Sequence, residues 1–85
     1  RAMLRRILDD RQMEGVIHAM AHLERASIEE VLERPTERDA AVDRALELVA
    51  GDRIGSGDKP RLDEMVRLLA PVIQERWFRN RPTAT

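Results

Sequence analysis

Proline and glycine divide this chain into short lengths, and that division limits what it can fold into. Pro35, then Gly51, Gly55 and Gly57, then Pro60 stand between runs whose apolar residues recur at helical spacing. No run shows the β-branched alternation of a strand. The expected fold is therefore all-α: a small bundle of three main helices plus one short helix, with an N-terminal helical extension. Residues 1–9 form that extension, 10–80 the bundle and 81–85 a flexible tail.

The first segment sets the main problem. Residues 2 to 25 read as helix, yet at about 100° per residue their apolar side chains change sides. Met3, Leu4, Ile7 and Leu8 gather on one side, whereas Met13, Val16, Ile17, Met20 and Leu23 gather nearly opposite. One straight helix cannot bury both stripes in one core. Either it breaks at LDDRQ, where Asp9 or Asp10 caps a new start, or the first two turns pack against something else, such as a second copy of the chain.

Next, ASIEEVLERP predicts a short helix over Ile28–Glu33, since Ser27 and Glu30 have capping-box spacing and Pro35 follows. Thr36 is then placed to cap a third helix with Glu37 and Asp39 in its first turn. Ala41, Val42, Ala45, Leu46, Leu48 and Val49 make its buried side and Gly51 its end. The stretch GDRIGSGDKP is the loop, with apolar Ile54 expected to pin it to the core. A fourth helix follows Asp58 or Lys59, with Pro60 in its first turn. Its stripe of Leu62, Met65, Val66, Leu69, Val72 and Ile73 continues to Trp77, and Pro71 on the far side predicts a kink.

Composition removes several functional classes. The absence of cysteine excludes disulfides, thiolate metal sites and cysteine nucleophiles. No long apolar run or signal-peptide pattern appears, so no membrane partner is expected and a cytoplasmic location is the natural reading. Fourteen arginines against a single lysine suggest a GC-rich coding genome, bacterial or phage. The net charge of −1 is unevenly spread: residues 1–8 and 65–85 each carry +3, leaving −7 for residues 9–64.

Glu14, His18 and His22 at i, i+4 and i+8 would share one helix face, a spacing that metal-binding helices use. A zinc centre also needs a third or fourth ligand in a fixed, dry geometry, and the chain holds no other histidine. The pair is expected to lie exposed, opposite the Met13–Leu23 stripe, with no cofactor and no metal required. Gly15 and Ala19 are small enough to admit another backbone closely. DRQMEG resembles the inhibitory helix of antitoxins that block Fic-type AMP-transferases, which has Ser or Thr, three residues, then Glu and Gly; Asp10 replaces the hydroxyl here. The likeness covers six residues, and no family spanning the chain is recognised.

At the other end, ERWFRNRP sets Phe78 off the core stripe beside Arg76, Arg79 and Arg81, a mixture suited to a partner's groove. DRIGSGD lacks the Lys-Ser/Thr ending of a phosphate loop, and neither Ser27 nor Ser56 has a readable catalytic partner. The expected function is thus a non-catalytic protein-protein interaction or oligomerisation module, a regulatory accessory protein or docking domain. Its partner is another protein or a second copy, most simply in a homodimer, and its interface residues are Met3, Leu4, Ile7, Leu8, Gly15, Ala19, Phe78, Arg79 and Arg81. Nucleic-acid binding through the two basic ends is the alternative, and metal binding through His18 and His22 the second.

Overall fold

A proline in the first turn starts each of the three shorter helices, where its missing N–H leaves no hydrogen bond unmade. The computed structural model describes the backbone of residues 2–51, 54–55 and 57–81, and within these the side chains from Glu14 onward. Among the described residues there are four helices: α1 (Ala2–Val31), α2 (Pro35–Ala50), α3 (Lys59–Arg67) and α4 (Pro71–Asn80). Among the described residues there is no strand, and the protein is an all-α bundle. Thirty residues of α1 amount to about 45 Å, which accounts for the molecule's longest dimension of 48 Å.

The expected break at LDDRQ is absent, and in place of a separate helix over Ile28–Glu33, Ile28–Val31 is the last turn of α1 while Leu32 and Glu33 lie in the turn beyond it. Ser27 therefore lies inside a helix and caps nothing, while Glu30 accepts a hydrogen bond from Arg38 of α2. The helix stops just past Val31 because Glu33 takes a left-handed conformation, φ 57°. Arg34 N–H then donates to Glu29 O (2.9 Å) and Glu33 N–H to Glu30 O (3.1 Å), the two bonds of a Schellman ending. Pro35 follows at once, so Arg34 rather than Thr36 is the residue before α2. The result is an αα-hairpin with a three-residue turn.

That left-handed position normally belongs to glycine, and a side chain there costs roughly 1 kcal/mol. Glu33→Gly should therefore raise stability by about 0.5–1 kcal/mol. Urea unfolding followed by circular dichroism checks it; an unchanged or lower midpoint would contradict the strain argument.

The core joins Ala19, Leu23 and Ala26 of α1 to Ala41, Val42, Ala45, Leu46 and Val49 of α2, with Leu62 and Val66 of α3 and Ile73 and Trp77 of α4. Ile54 is buried and anchors the loop as expected. The α1–α2 seam is built largely of alanine, and small side chains let two helix axes approach closely. Its choice of face corrects the sequence reading. Ile17 and Met20, expected in the core, are exposed; Leu23 is fully buried as expected, together with Gly15, Ala19 and Ala26.

The expected fourth helix is two helices meeting at a corner over Leu68–Ala70. A residue before proline is driven out of helical conformation, and Ala70 is extended (φ −60°, ψ 147°), so Pro71 starts α4 where a kink was expected. Gln74 Nε2 donates to Leu69 O (2.7 Å) and to Arg67 O (3.3 Å), satisfying carbonyls released at the end of α3. Leu62, Val66, Ile73 and Trp77 are buried on either side of the corner, but Val72 turns outward.

Charged side chains tie the helices together at the rim. Arg76 of α4 grips Asp43 of α2 with two hydrogen bonds of 2.9 and 2.8 Å and lies 3.6 Å from Asp39. Arg38 links Asp39 to Glu30 of α1, so one chain of charges spans three helices. The Arg76 guanidinium holds the Asp43 carboxyl below its ordinary range, outweighing the opposing effect of partial burial. Its contribution to stability is complete above the ordinary carboxylate pKa and fades as pH falls through the depressed one.

Candidate functional site

Two features of the surface stand apart from ordinary solvated helix, both involving α1. Beside Leu23 the buried face of α1 is made of Gly15, Ala19 and Ala26, and the bulky Ile17, Met20, Ile28 and Val31 face solvent. At 100° per residue Ile17, Met20, Glu24, Ile28 and Val31 fall within one sector of about 80°. Ile17 is 56% exposed, Met20 40%, Ile28 58% and Val31 80%, and Leu32 beyond the helix end is 53% exposed. Scattered exposed apolar residues are normal on a protein surface, whereas these share one sector of a single helix, interrupted by Glu24.

Glu24 is the one charge inside this row, and Glu14 and Glu33 are exposed at its borders. The row is apolar, and exposed Arg25 and Arg34 also stand near its edge. Toward the α1 C-terminus, Glu29 is buried and its Oε2 makes no hydrogen bond, with Arg34 Nη1 at 4.0 Å.

The second feature is a cleft of about 140 Å³ between α1 and α2, lined by His22, Arg25, Glu37, Ala40, Ala41 and Arg44. His18 is exposed as expected, but His22 is half-buried at the edge of the α2-facing side. Burial first, then Arg44, His18 and Arg25, lower the His22 pKa below its ordinary value. Among the described residues no group of three or more His, Asp or Glu side chains is placed to hold a metal ion. Glu14 and His18 remain neighbours on one exposed helix face, while His22 joins the arginines.

The remaining sequence candidates separate into three fates. The side chains of Met3, Leu4, Ile7 and Leu8 lie outside the described residues. Gly15 and Ala19 are buried inside the chain, so the close approach that they permit is to the protein's own helices. At the C-terminus, Phe78 is 41% exposed with the Arg67 guanidinium 5.8 Å from its ring centre. Arg79 is exposed and pairs with Glu75.

Arg81 is held more firmly. Its Nε lies 3.0 Å from Asp63 Oδ1, the oxygen that also accepts the Trp77 indole N–H at 2.9 Å. Arg76 and Arg81 thus serve internal ion pairs, which diminishes the cationic surface expected at this end.

Sequence reasoning missed Val31, Leu32, Arg25 and Arg44. The last two had no local signal, since they converge only once α1 packs on α2. Among the described residues no helix is long and apolar enough to cross a membrane. Comparison with protein-family models, with curated proteins and with solved structures returns no match.

Proposed function

We propose that the chain is a non-catalytic protein-interaction module whose α1 docks an amphipathic helix of another protein. The observation that carries this reading is the exposed row Ile17, Met20, Ile28, Val31 and Leu32 on the side of α1 opposite its alanine seam. A helix laid along such a row buries anchors at i, i+3, i+4 and i+7 spacing. Glu24, inside the row, argues for a heterologous occupant. In a second copy laid symmetrically along the row, Glu24 would approach its own mate near the centre, and like charges in an apolar seam disfavour pairing. A partner helix with a lysine or arginine opposite Glu24 removes that repulsion.

The test is a titration with a synthetic amphipathic helix bearing leucine on one face and one lysine at its centre, followed by amide chemical shifts. Saturable shifts along Ile17–Leu32 that weaken with salt and weaken about tenfold in Ile28→Glu are expected. Shifts elsewhere, or none, would refute the docking face. A concentration-dependent dimer in sedimentation, dispersed by Ile28→Glu, would show instead that a second copy is the occupant.

A further inference from the structure

We infer that the cleft between α1 and α2 binds a tetrahedral oxyanion of the phosphate-monoester class, held by Arg25 and Arg44 with His22 as a third donor. The placement is specific. Arg25 and His22 come from successive turns of α1, Arg44 faces them from α2, and the methyl side chains of Ala40 and Ala41 leave the space between them open. Among the described residues neither guanidinium lies within ion-pairing distance of a carboxylate, whereas Arg34, Arg38, Arg76, Arg79 and Arg81 all do. Paired guanidinium groups match the planar edges of a phosphate better than any other side chain.

Charge sets the protonation that a dianion would require. The groups facing His22 are His18 and Arg25 on α1 and Arg44 and Glu37 on α2. With His22 neutral, the two arginines exceed Glu37 by one positive charge, enough for a monoanion. A dianion leaves one negative charge in excess, which protonation of His22 neutralises. Unoccupied, the cleft disfavours the imidazolium; occupied by a dianion, it favours it. Binding is therefore accompanied by proton uptake and strengthens as pH falls toward 6, provided the ligand keeps its double charge.

The test uses inorganic phosphate, with sulfate as a dianion that does not titrate between pH 6 and 8 and acetate as a monoanion. The readouts are the His22 ring C–H shifts and isothermal calorimetry in buffers of different ionisation enthalpy. Saturable binding of phosphate and sulfate is expected, with the His22 pKa moving upward and sulfate drawing a proton from the buffer. Arg44→Gln, at an exposed position, should weaken binding tenfold or more, since it removes a charge-assisted hydrogen-bond donor from the anion. Glu37→Gln should tighten it several-fold, an effect that general salt binding would not produce. Absence of saturation, equal affinity in Arg44→Gln, or acetate binding as well as phosphate without moving His22 would overturn the assignment.

Discussion

Replacing Trp77 with alanine should lower the stability of the fold by about 3–5 kcal/mol, the largest effect expected of any single truncation here. The indole is fully buried, and it is the largest side chain in a core otherwise made of Leu, Ile, Val and Ala. A domain of this size has roughly 4–13 kcal/mol in total, so the variant should be partly unfolded at 37 °C. Its N–H matters separately from its bulk, because Asp63 receives it at 2.9 Å and the same oxygen faces Arg81 at 3.0 Å. Trp77→Phe keeps most of the apolar volume and should cost about 1–2 kcal/mol through the lost hydrogen bond. Phe78→Ala removes a side chain that is 41% exposed and should cost less than either. Thermal unfolding by circular dichroism ranks the three, since fluorescence loses its only indole in two of them. Equal destabilisation by Trp77→Ala and Phe78→Ala would place both rings in the core.

Much of this fold was legible wherever a stop residue and an apolar stripe agreed. The buried side of α2, the start of α3 after Asp58 with Pro60 in its first turn, and the anchoring of Ile54 all follow from residue type and spacing. Pro71 was legible as a disturbance but not as a boundary, because Leu62, Val66, Ile73 and Trp77 keep helical spacing straight across the corner. The end of α1 was hidden for another reason: Glu33 occupies a position that glycine would have announced. The candidate site was less legible still. Bulky apolar spacing alone points to the wrong face of α1, because burial follows what the facing helix offers. Alanines at 41 and 45 offer a shallow surface, and it is matched by Ala19 and Ala26. Two small-residue faces at helical spacing were the available signal. Exposing Ile17, Ile28 and Val31 is the consequence, so the displaced core face and the exposed apolar row are one fact.

Ala19→Leu tests that fact directly, because the two assignments of the buried face predict opposite results. Ala19 is fully buried in the seam that also contains Ala41 and Ala45. Three additional carbons there must push α1 away from α2 or force strained rotamers, at a cost of about 1–3 kcal/mol or more. Helix propensity does not oppose this, since leucine and alanine both favour helix. Ile17→Ala is the companion. On the exposed row it should change stability by less than about 0.5 kcal/mol, whereas a core isoleucine would cost about 2–5 kcal/mol on the same truncation. If instead the Met13–Leu23 stripe were the core, leucine at position 19 would be harmless and alanine at position 17 damaging. Chemical denaturation of the two variants decides between the faces. The same pair separates stability from binding: Ile17→Ala should leave the fold intact while weakening capture of an amphipathic helix, because its side chain contributes mainly to an interface not yet formed.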